Sequence, residues 1–125
     1  MKMPLSEIID RYTITKIKSE RTDEDVADEL RAYKYEINGP DYAEKYSLIA
    51  PFIDRLYEMN AQLWDTEKDI RNGVDMPLEE IGKLALTVRD LNSQRNVIKA
   101  EIVETFSEGF KEIKINYQKI DYGRN

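Results

Sequence analysis

Residues 52–106 read FIDRLYEMNAQLWDTEKDIRNGVDMPLEEIGKLALTVRDLNSQRNVIKAEIVETF, and this segment carries two apolar patterns on either side of a break. In each pattern the apolar residues recur at alternating spacings of four and three, with one polar residue in register. The first pattern comprises Phe52, Leu56, Met59, Leu63, Thr66 and Ile70. The second comprises Ile81, Leu84, Val88, Leu91, Arg95, Ile98 and Ile102. This spacing is typical of helices that pack along a coiled-coil seam.

The break between the two patterns contains the residue types that end one helix and begin another. Gly73 favours a helix stop, Asp75 can cap the next helix, and Pro77 suits a first helical turn. We therefore predict an antiparallel hairpin of two long helices over residues 47–72 and 76–107.

Two shorter helices are predicted before the hairpin, over residues 5–21 and 23–37. The first has apolar residues on two sides, Leu5, Ile8, Ile9 and Tyr12 on one and Ile14 and Ile17 nearly opposite. We expect the hairpin to cover one of these sides, and another element or a second subunit to cover the other.

The second helix is predicted to lie on the surface of the bundle, because it carries one narrow apolar stripe. That stripe comprises Val26, Leu30, Tyr33 and Ile37. Thr22 and Asp25 resemble a capping box at its start. At its end Gly39 is expected in the left-handed conformation, and Pro40 prevents continuation.

The pattern changes after Phe106, where the apolar period drops to two. Ile113, Ile115 and Tyr117 alternate with polar residues, which predicts an extended tail over residues 110–122. A lone strand is unstable in water, so the tail is expected to lie along the bundle or to pair with a second copy. The fold class is therefore all-α, a single domain with an extended C-terminal tail.

Composition excludes several classes of function. The 125 residues contain no His and no Cys, which removes the commonest general base, the thiol nucleophile and the usual zinc ligands. The net charge of -6 argues against nucleic-acid binding. The sequence shows no membrane-spanning run and no signal-peptide core, which favours a cytoplasmic location. We predict no catalytic residue, metal site or cofactor, although Mg or Mn held by carboxylates stays open.

Several segments together resemble a domain-of-unknown-function family of small all-helical bacterial and phage proteins, often encoded beside glycosyltransferases. The resemblance rests on Ser6 to Arg11, Ile17 to Arg21, Leu63 to Asp65 with Glu67, Ile70-Arg71, Leu91-Asn92, Arg95, Ile98-Lys99 and Glu101-Ile102. It covers most of the chain in order and implies an all-helical fold without an assigned activity. The chain departs from the family pattern at Tyr12-Thr13 and at Tyr42 to Tyr46.

Polar residues on the seam form the candidate site. A turn centred on Val74 would place Leu56 near Arg95. A buried Arg95 needs a carboxylate, and Asp10, Glu20 and Glu67 are the candidates. Arg95 forms a polar band with Asn92, Asn60 and Glu67. In one interpretation this polar band only fixes the register and the pairing of the helices. In the other, a pocket between the helices binds an anionic small molecule through a wider set of residues. That set comprises Asp10, Lys16, Glu20, Glu67, Asn92, Arg95 and Lys99.

Two functions follow from these alternatives. The first is a non-enzymatic helical interaction or assembly module, expected to form a homodimer or to bind another protein. The second is a protein that binds an anionic metabolite, or a bundle enzyme, with Arg95 and Lys99 as the cationic groups. The sequence identifies neither a ligand nor a pathway.

Overall fold

The chain folds into four α-helices, which a computed structural model describes over residues 3–106. The helices are α1 (Leu5–Arg21), α2 (Ala27–Ile37), α3 (Tyr46–Asn72) and α4 (Leu78–Phe106), and a 3-10 turn at Ala43–Lys45 precedes α3. No strand occurs in these residues, so the predicted all-α class is confirmed. The predicted tail over residues 110–122 lies outside the described residues.

Helix α1 lies at the centre of the bundle and contacts all three other helices. Leu5 and Ile9 are fully buried in the main core, where residues of α2, α3 and α4 meet them. Ile17 is fully buried as well, and Ile14 is half-buried. The Leu5 side of α1 is therefore covered within the chain. On the opposite side Ile17 offers no surface to a second subunit, and Ile14 is covered only in part.

Helix α2 begins at Ala27, four residues later than the sequence predicts. Thr22 belongs to the end of α1, because its backbone N–H donates to the carbonyl of Lys18 at 3.0 Å. The Thr22 hydroxyl accepts from the N–H of Glu24, and the Asp25 carboxylate accepts from the N–H of Ala27. These bonds span two residues and form turns rather than a capping box, which delays the start of the helix.

Helix α2 lies on the surface, and Ile37 is its one buried residue. The chain leaves the helix at Asn38 without a left-handed residue, so the expected conformation of Gly39 is wrong. A Cβ at Gly39 would lie 3.0 Å from the carbonyl oxygen of Tyr35. Glycine is favoured here because a side chain would crowd the carbonyl groups at the end of α2.

Helices α3 and α4 form an antiparallel hairpin. Arg55 donates two hydrogen bonds to Glu101, at 3.0 and 2.8 Å, and the Phe52 and Phe106 rings meet edge to face at 6.1 Å. These contacts place the first half of α3 beside the end of α4, as an antiparallel pair requires. The predicted proximity of Leu56 and Arg95 stays a prediction.

The hairpin extends beyond the three-helix part of the bundle. The last buried residue of α3 is Leu63 and the first of α4 is Leu91, and nothing between them is buried. In this part the seam residues are only half-buried, because two helices alone cannot enclose them. Three apolar residues here are strongly exposed, Val74, Leu78 and Leu86.

Candidate functional site

The carboxylate of Asp10 lies where α1, α3 and α4 meet. Arg95 donates two hydrogen bonds to it, from Nε to Oδ1 at 3.0 Å and from Nη2 to Oδ2 at 2.6 Å. The Asp10 side chain is 3% exposed and that of Arg95 is 26% exposed. This forked geometry joins α1 to α4 and is the strongest arrangement a carboxylate and a guanidinium can adopt.

Asn60 on α3 joins the same carboxylate. Its Nδ2 donates to Asp10 Oδ1 and to Thr13 Oγ1, both at 2.9 Å. The Thr13 hydroxyl in turn donates to the backbone carbonyl of Asp10 at 2.8 Å. A carboxylate can only accept, so the orientation of the Asn60 amide is fixed and both of its N–H groups are used. Three helices are therefore connected through one buried acidic group.

A second ion pair completes the cluster. Lys99 Nζ lies 2.6 Å from Glu7 Oε2 and 3.6 Å from Asp10 Oδ2. We refer to these six residues, Glu7, Asp10, Thr13, Asn60, Arg95 and Lys99, as the Asp10 cluster. Its two cations and two carboxylates balance, so the cluster has no net charge. An anionic ligand would have to displace one of the two carboxylates.

The electrostatics of the cluster favour the ionised form of Asp10. Burial by itself would raise the pKa of Asp10, but hydrogen bonds from Arg95 and Asn60 and the positive charges of Arg95 and Lys99 outweigh it. The pKa of Asp10 is therefore below its ordinary value of 3.8. The hydrogen bond to Asp10 raises the pKa of Arg95 in turn, so both groups stay charged across the physiological range.

The structure brings together some of the predicted site residues and separates others. Asp10, Arg95 and Lys99 share the cluster, and Asn92 accepts a long 3.4 Å hydrogen bond from Arg95 Nη1. Glu67 is exposed, and its negative charge lies near enough to contribute to the raised pKa of Arg95.

Lys16 and Glu20 belong to a different contact. Lys16 Nζ lies 5.4 Å from the centre of the Tyr57 ring, and the Tyr57 hydroxyl donates to Glu20. This pair holds the other side of α1 against α3. No hydrogen bond or ion pair described for residues 3–106 joins Lys16, Glu20 or Tyr57 to Asp10 or Arg95.

Sequence reasoning did not assign Glu7 or Thr13 to the site, and it placed Asn60 in the polar band of the seam but not among the ligand-binding residues. Glu7 lies one helical turn before Asp10, a spacing that places both on one face of α1. Thr13 lies one turn after Asp10 on that face. These spacings are visible in the sequence, but they identify a shared face and not the helix that it meets.

A half-open cavity of about 270 Å³ lies beside the cluster, between α1, α3 and α4. Its walls include Ile14, Ile17, Asn60, Trp64, Glu67 and Arg95, and we refer to it as the Trp64 cavity. It combines apolar surface with amide, carboxylate and guanidinium groups, which suits a small organic molecule better than a bare ion. Within residues 3–106 no group of three or more acidic side chains could hold a metal ion.

Across residues 3–106, none of the helices is both long enough and apolar enough to span a lipid bilayer. No protein-family model, no curated protein and no solved structure matches the chain. The resemblance to the uncharacterised helical family stays a prediction.

Proposed function

We propose that the chain is a non-enzymatic assembly module that pairs with a second copy of itself through the outer face of α4. We define this face by Gly82, Leu86, Ser93 and Val97, which recur at helical spacing about opposite to the seam with α3. All four are exposed, and Leu86 and Val97 are 52% and 58% exposed. The proposal rests on this second, uncovered stripe, because the first stripe of the same helix already packs on α3.

Gly82 supports a close approach by another helix. It lies inside α4, and a Cβ added there would meet no atom within 4 Å. Glycine in a helix interior costs about 1 kcal/mol relative to alanine. No contact within residues 3–106 explains the small residue, whereas a second helix packed against this face would.

The charges beside the face favour a second copy in parallel orientation. Arg89 and Asp90 flank it on opposite sides, and both side chains are largely exposed, with 3.4 Å between Arg89 Nη2 and Asp90 Oδ1. A two-fold axis along α4 would bring Arg89 of each copy beside Asp90 of the other. Such an interface is isologous, so each contact occurs twice. At the surface these pairs add little energy, but they specify the orientation.

The expected affinity is modest. The face from Gly82 to Val97 extends about 24 Å along the helix. One helix packed on its copy lies near the lower end of the size of specific interfaces, roughly 1,200 Å² in total. We therefore expect a dissociation constant in the micromolar range.

The alternative of an anion bound by Arg95 and Lys99 has less support. Both cations already contact carboxylates of the Asp10 cluster. A ligand would have to break a buried pair before it could bind, which disfavours it energetically. The assembly role requires no such rearrangement.

The test is a comparison of two matched substitutions. Leu86→Lys places a charge in the proposed interface, whereas Leu48→Lys changes a leucine of similar exposure, 56%, at the start of α3. We expect sedimentation equilibrium to show a reversible dimer for the native chain and for Leu48→Lys, and at least a tenfold weaker dimer for Leu86→Lys. A native chain that stays monomeric to high micromolar concentration, or two variants with equal affinity, would refute the proposal.

A further inference from the structure

The amide of Asn60 has one atom that the Asp10 cluster does not use. Its nitrogen donates to Asp10 and Thr13, which leaves the carbonyl oxygen Oδ1, and Asn60 is one of the residues that line the Trp64 cavity. Asn60 is only 5% exposed, and Oδ1 has no hydrogen-bond donor within residues 3–106. A buried acceptor without a donor is unfavourable, so this oxygen marks a position for a donor group.

Three further groups around the cavity have hydrogen-bonding capacity left over in the described part of the chain. Asn92 uses its oxygen for Arg95, so its Nδ2 is available. The Trp64 indole N–H has no acceptor within residues 3–106, and the Glu67 carboxylate has no donor there. The cavity thus presents donors and acceptors together, which a ligand with both kinds of group can satisfy.

The charge and shape of the cavity narrow the class of ligand. Arg95 is neutralised by Asp10, and Glu67 adds a negative charge at the wall, so anions are disfavoured. Trp64 supplies a flat ring against which an aromatic ligand can stack. A volume of about 270 Å³ is below that of most drug-sized sites and suits a single small ring system.

We infer that the Trp64 cavity binds an uncharged, planar heterocycle that both donates and accepts hydrogen bonds, the chemistry of a free nucleobase. Asn60 Oδ1 accepts from a ring or exocyclic N–H of the ligand, and Asn92 Nδ2 donates to a ring nitrogen or carbonyl. The ring stacks against Trp64. This site is separate from the outer face of α4, so its existence does not depend on assembly.

The chain contains a single tryptophan, which makes binding directly observable. Trp64 fluorescence is excited at the red edge of its absorption band, where the bases do not absorb, during titration with adenine or cytosine. We expect saturable quenching by at least one base. Benzoate, which is flat but anionic, and toluene, which cannot hydrogen-bond, serve as comparison ligands and should bind at least tenfold more weakly.

Substitution of Asn60 would also break the Asp10 cluster. The mutational test therefore uses the other amide side chain of the cavity, Asn92. Asn92→Ala removes one donor from the cavity and should weaken base binding roughly threefold to tenfold. Asn96→Ala, one turn along α4 at an exposed position, is the matched control and should leave affinity unchanged.

Each of three results would overturn the inference. They are the absence of saturable quenching by either base, benzoate or toluene binding as tight as base binding, and equal affinities of the native chain and Asn92→Ala. Circular dichroism of Asn92→Ala serves as an independent measure of folding and separates a loss of binding from unfolding.

Discussion

At the scale of single residues, Asp10 is the group on which the arrangement of the three helices depends. Desolvation opposes burial of a carboxylate, and three hydrogen bonds from α3 and α4, together with the charge of Lys99 at 3.6 Å, offset that cost. An apolar core of equal volume could be as stable, so we interpret the pair with Arg95 as specifying which helices meet and in what register.

Asp10→Asn should therefore destabilise the chain by about 2 to 4 kcal/mol, because it leaves the Arg95 charge half-buried without a counterion. The value is below that for a completely buried pair, since Arg95 is 26% exposed. Urea unfolding followed by circular dichroism measures the effect. Asp28→Asn, at the exposed Asp28 and Arg31 pair, is the control and should change stability by less than about 0.5 kcal/mol. Equal effects of the two substitutions would contradict a structural role for Asp10.

The partner of Arg95 shows what the sequence predicts about a single residue and what it does not. The apolar period places Arg95 on the seam and so predicts that it needs a carboxylate. Three acidic residues satisfied that requirement equally, because periodicity identifies the face of a helix and not the height at which another helix crosses it. The structure selects Asp10, whereas Glu20 bonds to Tyr57 and Glu67 lines the cavity.

At the scale of elements, α4 carries two stripes rather than one. Its first stripe, read from the seam pattern, packs on α3 and α1 as the helical period predicts. The outer face was not recognised in the sequence, because two of its four positions are Gly82 and Ser93, which have no apolar signal. Only the exposure of Leu86 and Val97 in the folded chain makes the stripe visible.

Gly82→Ala should have opposite effects on folding and on pairing. The monomer is expected to gain roughly 0.5 to 1 kcal/mol, because alanine is the better helix former and its Cβ meets nothing in the chain. The dimer should weaken severalfold, because the added methyl group separates the two helices. Urea unfolding at low concentration measures the first effect, and sedimentation equilibrium measures the second.

Gly73→Ala provides the control for this pair of effects. A Cβ at Gly73 would lie 3.1 Å from the backbone carbonyl oxygen of Asp69, which is closer than an ordinary contact, so the substitution should not stabilise the monomer. It lies in the loop between α3 and α4 and should leave dimer affinity unchanged. If Gly82→Ala strengthened both folding and pairing, a close contact at Gly82 would be ruled out.

At the scale of the whole molecule, the absence of His and Cys sets the response to pH. The pKa of Asp10 is lower in the folded chain than its ordinary value of 3.8. Its contribution is therefore fully present above pH of about 4 and is lost as pH falls through the lower, folded value. We expect the free energy of unfolding to be nearly constant from about pH 6 to 8 and to decline below about pH 4.

This prediction is tested by urea unfolding of the native chain and of Asp10→Asn across an acidic pH series. The difference in stability between the two should shrink as pH falls, because protonation of Asp10 makes the native chain resemble the variant. The free energy of unfolding of Asp28→Asn should change with pH in the same way as that of the native chain. A difference that stays constant down to strongly acidic pH would show that the Asp10 carboxylate does not contribute through its charge.

The general architecture could be predicted because it depends on local patterns. Helices α1 and α3 begin and end close to the predicted residues, and the all-α class follows from their periodicity. The late start of α2 could not be predicted, because Thr22 suited the end of one helix as well as the start of the next. The central position of α1 and the exposed end of the hairpin depend on packing between distant segments, which no local pattern contains.

The proposed parallel pairing through the outer face of α4 can be tested by introducing a single cysteine into a chain that has none. Ser93→Cys is nearly isosteric and lies on the proposed two-fold axis, whereas Thr87→Cys lies on another side of α4 and is also exposed. Under mild oxidation at micromolar concentration, we predict a disulfide-linked dimer for Ser93→Cys and little or none for Thr87→Cys, because only the former brings two sulfurs within bonding distance. Equal cross-linking of both variants, or none of either, would contradict the claim.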